Sequence, residues 1–279
     1  MLLSEAFERY RQDVIIFANQ SRRTEESHNT CLKVLLAHVG DIDIETITFE
    51  VVRDWKLELN SGRSPGTVRQ YILKLRVVLA HMQRLGYQVL DYELIPVPKR
   101  ADHVPGFISK EDVTKLIDSS RRLRSKTIIS LLYASGLRVS ELCILDRAQI
   151  HDRSFTVIGK GNKARLCFFD ARTEELIKLY LTTRHDNHPA LFLSTQQETR
   201  MTPTNIQFII KAAANNAGLK QHITPHTLRH SYATNLLHNN VNLRYVQEML
   251  GHSSIQTTQM YTHVVNEDLR KVYSAGHTI

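Results

Sequence analysis

"ITPHTLRHSYATNLL", residues 223–237, sets two histidines and an arginine within five positions at the front of a helical pattern. Thr224 can cap a helix and Pro225 suits its first turn, so a helix is expected over 225–238. His226 and Arg229 are three apart and share a face. His226 and His230 are four apart, the spacing of a two-histidine metal helix. A zinc-protease helix needs Glu after the first His, where this chain has Thr227, and Arg229 would stand beside a dication. An anion site fits the residues better. A guanidinium presents a planar fork of donors to phosphate oxygens, and a neighbouring imidazole can donate a hydrogen bond or move a proton. A helix whose polar residues only cap and solvate is the remaining reading.

The rest of the chain narrows the choice. Its 279 residues are 42% hydrophobic and 23% charged, a globular composition, with a formal charge of +8. Residues 1–104 hold fourteen basic and fourteen acidic side chains, so the whole excess lies from Pro105 onward. Such an excess points to a polyanionic partner. Within the neutral part, residues 61–84 carry Arg63, Arg69, Lys74, Arg76 and Arg84 with no acid, which suggests phosphate contacts there too. Cys31, Cys143 and Cys167 form no CxxC pair, so neither a zinc ribbon nor a disulfide framework is suggested, and a reducing compartment fits. No apolar run is long enough to span a bilayer, and no signal-peptide hydrophobic region opens the chain; a cytoplasmic location is expected.

Apolar periodicity predicts four helices near 4–19, 24–38, 48–59 and 64–84, with Phe7, Tyr10, Val14 and Phe17 on one face of the first. Pro96, Pro98 and Pro105 then forbid a regular helix or a central strand, so a helical domain over 1–100 and a linker over 101–108 are expected. The second domain, 109–279, begins at "SKED" with Ser109 as helix cap. "TIISLLYASGL" reads as a buried helix ended by Gly136, followed by Arg138 at the start of another. "SFTVIGKGNKARLCFF" reads as two short strands around a glycine-rich turn bearing Lys160 and Lys163. Helices are expected near 172–183, 204–217, 225–238 and 242–250, then a short one over 255–262. His252 directly follows the helix-ending Gly251, and Tyr261 comes nine residues later.

The order Arg138, Lys160, "HTLRH", "LGHSS" and Tyr261 resembles the tyrosine site-specific recombinases of the phage-integrase family, close to their Xer-like branch. The resemblance covers roughly residues 109–273 and extends to the tail "LRKVYSAGH". It implies a mainly α fold with a small antiparallel sheet: a four-helix, SAM-like core-binding domain, then an α+β catalytic domain with a tail for subunit exchange. It also implies roles. Arg138 and Arg229 would hold the scissile phosphate, Tyr261 would attack, and Lys160 would protonate the leaving 5′ oxygen. His226 would assist proton transfer and His252 would hydrogen-bond the phosphate. Lys163 is the reserve for Lys160. Arg63, Arg69, Lys74, Arg76, Lys163 and Arg165 are the expected DNA contacts. No metal or other cofactor is implied. The implied partner is double-stranded DNA, held by a homo- or heterotetramer on two sites. A type IB topoisomerase, a DNA-binding regulator that never cuts, and a zinc hydrolase using His226 and His230 are the alternatives.

Overall fold

The computed structural model describes residues 1–99, 106–159, 164–194 and 199–251, and the chain divides into two compact units, Met1–His103 and Val104–Ile279. The first unit is helical. Helix α1 (Leu3–Tyr10) runs into a π-helical turn, Arg11–Ile16, in which the Phe17 N–H reaches the Gln12 carbonyl five residues back. Helices α2 (Arg22–Val39), α3 (Phe49–Gly62) and α4 (Pro65–Arg84) follow. Each of these three starts at a hydroxyl cap, Ser21, Thr48 and Ser64, whose oxygen accepts an N–H of the first turn. Their apolar faces enclose Trp55, Ile72, Leu75, Leu79 and Met82, all shielded from solvent. Trp55 lies nearly parallel to the Tyr71 ring, centroids 6.4 Å apart.

The π turn corrects one expectation. A wider turn shifts the side-chain register, so Phe17, expected on the buried face, is 86% exposed while Ile15 is buried.

The second unit is built around α6 (Leu123–Ser135), whose Ile128, Ile129, Leu131 and Leu132 are all buried. Helices α5 (Lys110–Asp118), α8 (Ala171–Thr182), α9 (Pro203–Asn216) and α10 (Pro225–His238) pack around it. Two of its hydroxyls are satisfied by α8: Thr127 donates to the Leu176 carbonyl, 3.1 Å, and Ser130 meets Thr173, 2.8 Å. Strands β1 (Ser154–Ile158) and β2 (Ala164–Phe168) form one antiparallel pair with Val157 opposite Arg165 and Phe155 opposite Cys167. Short α7 (Val139–Ile144) and α11 (Leu243–Leu250) complete the α-helices among the described residues. The architecture is therefore mainly helical with one small antiparallel sheet. Residues 106–108, expected in the linker, belong to this unit: Ile108 is buried and its N–H donates to Ser231 of α10, 2.9 Å.

Candidate active site

The site grows from three backbone ends in the second unit. Helix α6 stops at Gly136, which adopts a left-handed conformation, φ 60°. A β-carbon there would also stand 2.4 Å from the Tyr232 ring of α10, so only glycine lets α6 and α10 approach so closely. Two residues on, Arg138 is the N-cap of α7. Helix α10 begins at a reciprocal cap, with each of Thr224 and Thr227 accepting the other's N–H at 3.1 Å, and Pro225 at the first position. One turn later its Arg229 is buried, 5% exposed. Helix α11 ends at Gly251, again left-handed at φ 62°.

Helix C-termini leave carbonyls without helical partners, and cations are favoured there. Three arginines take three successive carbonyls at the end of α11. Arg165 Nε donates to Met249 O (3.0 Å), Arg229 Nη2 to Leu250 O (2.5 Å) and Arg138 Nη2 to Gly251 O (3.1 Å). Arg229 Nη1 also donates to the Gly136 carbonyl, 2.6 Å, which ties the α6 end to the α11 end. Arg138 and Arg229, far apart in the chain, thus meet at adjacent carbonyls.

A buried carboxylate sets the plane of Arg138. Glu141 Oε2 accepts the Arg138 backbone N–H (2.7 Å), and Oε1 accepts its Nη1 (2.8 Å). Arg165 Nη1 and Nη2 reach the same two oxygens at 2.9 and 2.6 Å. Burial pushes the Glu141 carboxyl up, but the hydrogen bonds from Arg165 and Arg138 outweigh it and hold it at about 2. Sequence reasoning missed Glu141. Its position three residues after Arg138, at the start of α7, was the available signal.

Of the other expected residues, His226 lies exposed on the first turn of α10, while His230 is buried beside Phe107, ring centroids 6.5 Å apart. The two histidines therefore do not present a common open face to a metal. Lys160, Lys163, His252 and Tyr261 lie outside the described residues, as does the helix expected over 255–262. Arg165, expected as a DNA contact, has a side chain that is 8% exposed and bonded to Glu141 and Met249. The reason is strand alternation, which puts it on the inward face with Cys167.

In the first unit Arg63 is exposed at the end of α3. Arg69 donates to the Pro98 carbonyl, 3.0 Å, and Arg76 to the Ile95 carbonyl while lying over the Tyr92 ring. Both thus tie α4 to the segment that follows it. Lys74 Nζ stands over the Tyr71 ring, 5.5 Å from its centroid, and lines an open cleft with Arg23 and His28.

Residues 106–268 match the phage integrase family model. The chain is 34% identical over 273 residues to the tyrosine recombinase XerD of Lacticaseibacillus casei, covering 92% of this chain and 93% of that protein. It is also 34% identical to the tyrosine recombinase XerA of Thermococcus onnurineus (strain NA1), covering 82% and 96%. Among solved structures, the XerA recombinase crystal structure aligns over 99% of both chains at 25% identity, TM-score 0.58. The fold of the Tn1549 transposon integrase, solved with transposon right end DNA, aligns over 99% of both chains at TM-score 0.80 and 18% identity. With this match and these relatives beside the paired arginines, the chain belongs to the phage integrase family and is a tyrosine recombinase, an enzyme that cuts and rejoins DNA strands.

Proposed function

We propose that the chain recombines duplex DNA at a specific site through a 3′-phosphotyrosyl intermediate, with Tyr261 as nucleophile. The convergence of Arg138 and Arg229 on the α11 terminus is the observation that carries this reading. A phosphodiester under attack gathers negative charge on its non-bridging oxygens, and two fixed guanidiniums offset it where it develops. The Tyr261 oxygen bonds to phosphorus, the bond from phosphorus to the 5′ oxygen breaks, and Lys160 supplies the proton that oxygen needs. The phenol, with an unperturbed pKa of about 10, needs a proton acceptor near neutrality. His226 fills that role from the exposed first turn of α10, and His252 donates to the phosphate from just beyond Gly251. The phosphotyrosine ester keeps the energy of the broken bond, so attack by a second strand's 5′ hydroxyl rejoins DNA without ATP. These steps call on no metal.

The relatives named XerD and XerA, together with the transposon right end DNA bound to the Tn1549 integrase, support duplex DNA as the substrate. Two bound sites and four subunits complete the proposed assembly, acting on the chromosome in the cytoplasm. Arg63 and Lys74 are the first-unit cations we assign to the DNA backbone. Dimer resolution and the integration or excision of a mobile element are the uses this chemistry serves.

The test works without a defined target sequence. A pool of nicked duplexes of random sequence is incubated with the protein, and DNA that stays attached on a denaturing gel is recovered and sequenced. A cut close to the nick releases a short oligonucleotide, which diffuses away and traps the covalent complex. The wild-type protein should enrich a defined sequence, and Tyr261→Phe should bind it without attachment. Attachment that survives in Tyr261→Phe would show that another residue attacks.

A further inference from the structure

Building on the functional reading above, we propose that Arg165 is a positioning residue for strand cleavage, holding Glu141 and the α11 terminus so that Arg138 is oriented toward the phosphate with its charge intact. Each Glu141 carboxylate oxygen accepts one bond from Arg138 and one from Arg165, at 2.6–2.9 Å, so the carboxylate is saturated from two sides. The third Arg165 bond, to Met249 O, fixes the same guanidinium to α11. Its stem runs past Gly251, where a β-carbon would lie 3.0 Å from Arg165 Cδ. One side chain of β2 therefore spans the start of α7 and the end of α11, the two places that locate Arg138.

Charge balance gives that span its purpose. Glu141 alone would orient Arg138 but also neutralise it, leaving a pair of net charge zero beside the phosphate. Arg165 returns one positive charge to the trio, so Arg138 is oriented without being cancelled. Burial argues against a direct DNA contact: the side chains of Arg165 and Glu141 are 8% and 6% exposed, whereas that of Arg138 is 29% exposed. Arg165 acts on the phosphate through Arg138.

The experiment uses the nicked duplex recovered with the wild-type protein, and compares wild type, Arg165→Met, Arg165→Lys and the double variant Glu141→Leu/Arg165→Met. Three readouts are taken: thermal midpoint, affinity for the duplex, and the single-turnover rate of covalent attachment at saturating DNA. Arg165→Met should bind DNA as wild type does but attach roughly a hundredfold more slowly, the scale of losing one positioned donor. Arg165→Lys keeps the charge and loses the two-pronged contact, so it should recover part of the rate. The double variant removes both buried charges, which restores the fold without restoring the orientation of Arg138. Its midpoint should approach wild type while attachment stays slow.

Wild-type attachment by the double variant would make Arg165 purely structural and overturn the proposal. So would a wild-type rate in Arg165→Met or Arg165→Lys, or weakened DNA affinity with a normal rate at saturation, which would mark a DNA contact. If Arg165→Met does not fold, the other two variants decide by the same criteria. A wild-type protein that traps no DNA overturns the functional reading and this inference with it. Normal wild-type trapping with unaffected variants overturns the inference alone.

Discussion

Glu141 is held ionised by two guanidiniums at a depth where an unpaired carboxylate would be protonated. Its folded carboxyl lies at about 2, against an ordinary value of 4.5. A lowered folded value contributes stability above pH 4.5, and that contribution drains away as pH falls from 4.5 toward 2. The full contribution is on the order of 3 kcal/mol. Denaturant unfolding of wild type and Glu141→Gln at a series of pH values isolates it, because the other carboxylates cancel in the difference. The wild-type advantage should shrink steadily between about pH 5 and pH 2. A difference that does not change with pH would mean that Glu141 titrates normally in the folded protein. Legibility at this scale followed residue type. Arg138 and Arg229 could be read because they fall in the chain order Arg138, Lys160, "HTLRH", "LGHSS", Tyr261 that resembles the tyrosine recombinases; neither box alone would have marked them. Glu141 could not, because a carboxylate three residues from an arginine is the common solvated helix pair. Arg165 was hidden because "ARLCF" is apolar on both faces: Leu166 and Phe168 are 49% and 48% exposed, so alternation did not announce which side faced in.

Helix α11 has eight residues, too few to be stable by propensity alone. Val246 and Leu250 bury its apolar face, and three arginines from β2, α7 and α10 hold its terminal carbonyls. Arg138 and Arg229, the proposed phosphate-holding arginines, are therefore, with Arg165, also the clamp on the helix that leads to His252. Arg229→Met keeps an apolar stem and removes the bonds to Leu250 and Gly136. A hydrogen bond to a charged group contributes about 1.5–3 kcal/mol, so amide exchange in α11 should quicken roughly ten- to a hundredfold. Exchange in α9, which Arg229 does not cap, should hold steady. Unchanged α11 exchange would show that apolar packing alone secures it. Helix starts were read well for a physical reason: caps such as Ser64-Pro65 and Thr224-Pro225 are local signals, complete within a few residues. The π turn after α1 had no such local mark. Its register follows from burying Ile15 in a core assembled from α2, α3 and α4, which the periodicity of one segment does not contain.

Each unit of the whole molecule carries its own core, and the chain's single tryptophan, Trp55, is fully buried in the first. The proline-rich stretch and the charge division announced two units because both are properties of composition, which needs no long-range contacts to be visible. This arrangement supplies a built-in reporter. Tryptophan emission follows unfolding of the first unit, whereas far-UV circular dichroism follows both. A change confined to the second unit separates the two signals. Gly136→Ala is such a change, since alanine is strained at φ 60° and its methyl would press on the Tyr232 ring. The conformational strain alone costs about 1–2 kcal/mol. For a unit of this size that lowers the midpoint by roughly 2–4 °C per kcal/mol. The dichroism transition should therefore move down or split while the tryptophan transition stays in place. Equal movement of both would mean that the two cores melt as one cooperative body, and that damage near Arg138 is felt at Trp55.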